Sequence, residues 1–190
     1  MNKPLPLQAK IEIAIFSALA LIIDLLPSIT IATAVTISFS MVPIFIICFR
    51  WGLKGGVVAG FLWGLLQMVT GNAYILTPLQ AFIEYFVAFA FIGAAGLFSD
   101  SIKKSLAQNE RTKAFSLIIG ALIVGSVARY IWHFIAGIIF WGSYAPKGVS
   151  ALWYSFTMNG IAMVGSLIAC TVVLALLIPS AARVVLNRAH

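Results

Sequence analysis

The feature that most constrains this chain is the near-continuous succession of apolar runs. They extend from Leu7 to Leu26, Val35 to Cys48, Gly55 to Val69, Leu79 to Phe98, Ala114 to Trp141 and Ser150 to Ile178. A helix crossing a bilayer core needs ~20 predominantly apolar residues. At 62% hydrophobic and 9% charged, the 190-residue chain is too apolar for a water-soluble domain. The expected fold is therefore an all-α integral membrane protein with six transmembrane helices, organised as a single domain over residues 1–190. The second and third runs are short, and the second contains Pro43, so their boundaries are the least defined. The first run is expected to be a span and not a cleaved leader.

The formal charge of +7 would suggest nucleic acid in a soluble protein, but the placement of the basic residues explains it otherwise. Lys3 and Lys10 lie at the N-terminal end of the first run, Arg50 and Lys54 join the second and third, and Lys103, Lys104, Arg111 and Lys113 join the fourth and fifth. Arg183 and Arg188 follow the sixth. In a six-span arrangement all of these segments fall on one side, whereas the opposite loops carry only Lys147. The positive-inside rule then places both termini in the cytoplasm, and no nucleic-acid partner is implied. Ser99 to Lys113 reads as a solvated connector. Cys48 and Cys170 read as small core residues.

Depth follows from the helical rise of about 1.5 Å per residue. With Pro78 in the first turn of the fourth span, Glu84 lies ~9 Å below the outer end, His133 ~12 Å and Arg129 ~18 Å. On the last span, Tyr154 lies ~6 Å and Asn159 ~13 Å below the same surface. Polar groups from different helices thus converge in the outer half of the membrane, as expected of a pocket open to the outside. Arg129, His133, Gly137 and Trp141 recur every four residues and form a slowly turning stripe. Gly137 suits either close approach of a planar ligand or a helix-packing notch, and Trp141 either a ligand platform or an interfacial belt.

Intramembrane ionisable residues are costly unless paired or facing water. Glu84 and Arg129 therefore suit a structural ion pair or a binding role. Asp24 reads as a solvated end-of-helix group. A carboxylate among Tyr85, His133, Trp141 and Tyr154, with Asn159 able to donate and accept, is the composition expected for a flat, cationic, hydrogen-bonding ligand. No phosphate-binding loop, His-Glu-x-x-His helix or nucleophile elbow is present, and His133 and His190 are too few for a histidine metal cluster. Enzyme activity, a metal and a cofactor are not expected. A self-sufficient secondary transporter would need a coupling-ion site and usually an internal repeat. An intramembrane enzyme would need a reactive dyad, for which Glu84 with His133 is the only candidate.

Three segments carry a resemblance to a known family: GNAYILTPLQAFIEYFVA from Gly71, RYIWHFIAGIIFWGSYAPKG from Arg129 and YSFTMNG from Tyr154. The chain resembles the thiamine-specific substrate-binding subunit, or S component, of energy-coupling factor transporters. The resemblance implies thiamine held near the outer surface. Glu84 would meet its positive charge, Trp141 and His133 would stack on its rings, and Tyr85, Tyr154 and Asn159 would contribute hydrogen bonds. Gly137 would line the pocket and Arg129, where the family often has lysine, would orient or neutralise nearby carboxylates. Tyr74 would help close the site or sit in the interfacial belt. The family's first external loop commonly supplies a tryptophan lid, whereas Pro27 to Ser40 here has no aromatic before Phe39. The resemblance further implies that Ala14 and Ala18 dock against a membrane coupling subunit, itself driven by two cytoplasmic ATPases. The glycine ridge Gly56, Gly60 and Gly64 is expected to serve internal packing.

Overall fold

The structure, a computed structural model, describes residues 4–26, 29–32 and 35–186. Lys3, Arg188, His190 and positions 27, 28, 33 and 34, in the loop after the first apolar run, lie outside the described residues. The chain is nearly all helical: α1 (Leu7–Asp24), a hairpin of β1 (Ile29–Ala32) and β2 (Val35–Ile37), α2 (Val42–Val69), α3 (Pro78–Ala107), α4 (Arg111–Phe140) and α5 (Ala151–Leu186). Among the described residues, α2, α3, α4 and the Ala151–Leu177 part of α5 are long and apolar enough to cross a membrane. α1 has Lys10, Glu12 and Asp24 within 18 residues and is not among these four.

The second apolar run, expected as a helix from Val35, begins instead as a strand. Residues 29–39, ITIATAVTISF, are rich in β-branched side chains, which favour extended backbone. The two strands pair antiparallel, with Ile29 opposite Ile37 and Thr30 opposite Thr36. The helix starts only at Val42, with Pro43 in its first turn, where proline's missing N–H costs nothing.

Within α2 the chain reverses direction. Gly52 has φ 70°, in the left-handed region that suits glycine. Asp24 accepts hydrogen bonds both from Ser40, just before α2, and from Gln67, near its end. In an unbroken helix those two residues would lie roughly 40 Å apart. The arms 42–51 and 53–69 are therefore antiparallel, and the reversal meets α1 at Glu12. The first arm is only about 15 Å long, and Ile44, Phe45, Ile47 and Cys48 in it are fully buried.

Arg50, expected in a connector, is 8% exposed and belongs to this reversal. Its guanidinium donates to Glu12 at 2.5 and 2.7 Å, and Trp51 Nε1 donates to the same carboxylate at 2.7 Å. Lys103 Nζ lies 3.4 Å from the Arg50 carbonyl and Ser99 Oγ donates to the Phe49 carbonyl at 2.7 Å. Accordingly, the stretch from Ser99, read as a solvated connector, is a helical extension of α3 with Ile102 and Ser105 buried, and only residues 108–110 form the turn into α4. Cys48 and Cys170 are free and buried.

Close packing of α2 on α3 depends on the glycine ridge. A Cβ added at Gly60 would meet the backbone carbonyl of Phe89, one at Gly64 that of Tyr85, and one at Gly56 both Cys48 Sγ and the backbone of Gly93. Internal packing is thus what this ridge does. α3 is also irregular, with a π-helical turn at Phe82–Val87 and a 3-10 stretch at Ile92–Phe98.

Candidate functional site

α1, the second arm of α2, α3, α4, α5 and the end of the hairpin enclose a cavity of about 450 Å³ at the end of the bundle opposite Arg50. Its volume falls within the ~300–1,000 Å³ usual for small-molecule sites. The cavity brings together Tyr74, Glu84, Tyr85, Arg129, His133, Gly137, Trp141, Tyr154 and Asn159 on one lining.

Glu84 is the best-fixed of these. It sits in the π-helical turn, 8% exposed, and accepts from Gln80 Nε2 at 2.6 Å and from Trp141 Nε1 at 2.8 Å. Such turns are rare, appear mostly as single bulges inside α-helices and recur at functional sites. Here Glu84 and its neighbour Tyr85 both reach the lining. Gln80, fully buried, extends the support. Its Oε1 accepts from Leu76 N at 3.0 Å and its Nε2 also lies 3.2 Å from the Tyr74 carbonyl. Thr77 Oγ1 caps the start of α3 by accepting from Gln80 N at 3.1 Å. The Tyr85 hydroxyl accepts from Tyr74 N at 2.7 Å, so the loop before α3 is pinned from below at two points. The Tyr74 ring then leans on Trp141, centroid to centroid 5.3 Å.

Arg129 is not ion-paired with Glu84, nor with any other carboxylate among the described residues. Its guanidinium lies over Phe89 at 4.4 Å and Trp63 at 5.4 Å, and Nε donates to His133 Nε2 at 3.1 Å. Because Nε2 accepts, the imidazole is the neutral tautomer with its proton on Nδ1. The His133 ring lies 6.2 Å from Phe89. On α5, Asn159 Nδ2 donates to the Ser155 carbonyl at 3.1 Å, and Ser155 Oγ donates to the Phe134 carbonyl at 2.8 Å. The Tyr154 hydroxyl makes no hydrogen bond among the described residues. Gly137 proves to be a packing notch at the edge of the cavity: a Cβ there would run into Ser155 and Asn159, so the missing side chain lets α5 close on α4.

Several lining residues escaped the sequence reading. Asp24 is not a solvated helix end. It is half-buried, lines the cavity and is held by Ser40 Oγ at 2.8 Å and by the Gln67 amide, which in turn accepts from Asn72 Nδ2 at 2.6 Å. Gln67, 2% exposed in an otherwise apolar run, was the available signal, since a buried amide requires partners. Trp63 lines the cavity with an Nε1 that has no partner among the described residues. The hairpin continues into the lining through Thr36, Ser38 and Ser40, and Ser38 N donates to Ser166 Oγ at 3.2 Å.

Residues 10–186 match the family model described as thiamine transporter protein (Thia_YuaJ). The chain belongs to the thiamine transporter protein family. That is a family of membrane transporters, not of enzymes. The chain is 40% identical over 185 residues to the thiamine transporter ThiT of Bacillus subtilis, covering 96% of each chain. It is 36% identical over 171 residues to ThiT of Lacticaseibacillus paracasei, covering 88% of this chain and 85% of that protein. The solved structure of ThiT from Listeria monocytogenes superposes with a TM-score of 0.88 at 40% identity, covering 92% of this chain and 94% of that one. For a thiamine transporter family member, the cavity just described is the natural candidate for the substrate site.

Proposed function

We propose that this protein captures thiamine from outside the cell and delivers it inward as the substrate-binding subunit of an energy-coupling factor importer. The observation that carries the reading is the Glu84 carboxylate. It is buried without a cationic partner among the described residues, oriented by Gln80 and Trp141, and flanked by aromatic rings. An uncompensated carboxylate in such a place favours a ligand that brings its own positive charge. Thiamine is flat, permanently cationic and rich in hydrogen-bonding groups. Trp141 and His133 stack on its rings, Tyr85, Tyr154 and Asn159 supply polar contacts, Arg129 orients the surrounding groups, and Tyr74 closes the mouth.

The topology that fits is six membrane-embedded helices, counting α1 and the two arms of α2 separately, with both termini cytoplasmic and the cavity facing outward. The clustering of basic connectors at the Arg50 end supports this orientation. Energy comes from a membrane coupling subunit and two cytoplasmic ATPases. Ala14 is exposed and Ala18 half-buried, and they flank the buried face of α1 formed by Ala9, Ile13 and Ser17, which suits docking by another helix. Titration of the purified protein with thiamine, followed by tryptophan fluorescence, tests the reading. Saturable one-to-one quenching without turnover, weakened in Glu84→Gln, is expected; unchanged binding by Glu84→Gln would contradict it.

A further inference from the structure

The charged residues on the cavity lining are Asp24, Glu84 and Arg129, and His133 is neutral because its Nε2 accepts from Arg129. Neither carboxylate has a cationic partner among the described residues. Asp24 is held by Ser40 and Gln67, and Glu84 by Gln80 and Trp141, all of them neutral donors. Arg129 rests on aromatic faces and not on an anion. With both carboxylates ionised, two against one guanidinium leave the cavity with one unit of negative charge. Within a protein charge interactions act at longer range than in bulk water, so this net charge is felt throughout the cavity.

We infer that Asp24 is a specificity-determining residue: it offsets the charge of Arg129 from across the cavity, so that the negative charge of Glu84 stays available to a monocation. This rests on the reading of the ligand as thiamine. Without Asp24, Glu84 and Arg129 would balance each other in sum, and the preference for a cation over a neutral molecule of the same shape would weaken. With it, the complex with a monocation is the electroneutral state, and a ligand carrying an added phosphate restores the imbalance. The role differs from that of Glu84. Asp24 lies at the end of α1, on the cavity lining, where Ser40 and Gln67 hold its carboxylate and Asn72 braces Gln67, so that its part is to set the sum of charges.

The test compares two ligands on the purified full-length protein by calorimetry: thiamine, and an isosteric analogue whose thiazolium ring is replaced by uncharged thiophene. The ratio of their affinities reads charge selection and cancels a general loosening of the cavity. Asp24→Asn should lower the thiamine-to-analogue ratio at least tenfold, about 1.4 kcal/mol, while the analogue binds as in the parent. Asp24→Glu should keep the ratio, and Asp24→Asn combined with Arg129→Gln should move it back toward the parent value. Asp24→Ser provides a second neutral variant if the asparagine protein is not recovered folded. An equal loss for both ligands in these neutral variants would make Asp24 a structural residue and overturn the inference. Failure of the parent to bind thiamine would instead overturn the proposed function.

Discussion

The indole N–H of Trp141 donates to Glu84 Oε1 at 2.8 Å, across the interface between α4 and α3. The aromatic platform and the carboxylate of the cavity are therefore one mechanical unit. Trp141→Phe keeps a ring but removes the donor. A hydrogen bond to a charged group contributes ~1.5–3 kcal/mol, so thiamine affinity should fall roughly ten- to a hundredfold. Calorimetry on the variant checks the magnitude, and full retention of affinity would show that the contact does not organise the site.

Gly64 packs directly on the backbone carbonyl of Tyr85, the residue after Glu84. Gly64→Ala should force α2 off the π-helical turn, costing ~1–3 kcal/mol as overpacking does, and should weaken ligand binding as Glu84 and Tyr85 shift. Gly160 is the control: nothing lies within 4 Å of a Cβ there, and the residue sits inside helix α5. Gly160→Ala should be neutral or stabilise by up to ~1 kcal/mol. Thermal unfolding in detergent distinguishes the two.

Glu12 and Arg50 hold α1 to the reversal at Gly52, with side chains 20% and 6% exposed. Removing one partner of a buried pair typically costs ~3–5 kcal/mol, because the other charge is left without compensation. Glu12→Gln should therefore lower the melting temperature markedly, and Glu12→Gln with Arg50→Met should recover much of the loss. At temperatures where the variant is folded, thiamine binding should persist, since this pair lies at the end of the bundle opposite the cavity.

Bulky residues at Ala14 and Ala18 should abolish thiamine uptake by cells while leaving binding by the purified protein intact. The two positions do not contribute to the buried face of α1. Unimpaired uptake by Ala14→Trp and Ala18→Trp would remove the docking role from this face.

Much of the cavity was readable from residue spacing because α4 is a regular helix, on which Arg129, His133, Gly137 and Trp141 stay on one side at four-residue intervals. What spacing does not reveal is how groups far apart in sequence satisfy one another. The Glu84 to Arg129 pairing weighed for the sequence does not form, because Gln80 and Trp141 reach Glu84 and aromatic faces receive Arg129. Asp24 escaped for the same reason, as its partners Ser40 and Gln67 belong to segments brought together only by the turn at Gly52. The strand at Val35 was hidden because hydrophobicity alone does not separate a β-branched strand from the beginning of a helix.

The short first arm of α2 has a consequence for stability in the membrane. At about 15 Å it reaches only halfway across a ~30 Å hydrocarbon layer, and its enclosed side chains offer lipid almost no surface. Such a segment gains little from partitioning into a bilayer by itself. What holds it is protein and not lipid: the turn at Gly52 and the packing of this arm on its neighbours must supply the stability that apolar surface alone would give a longer span.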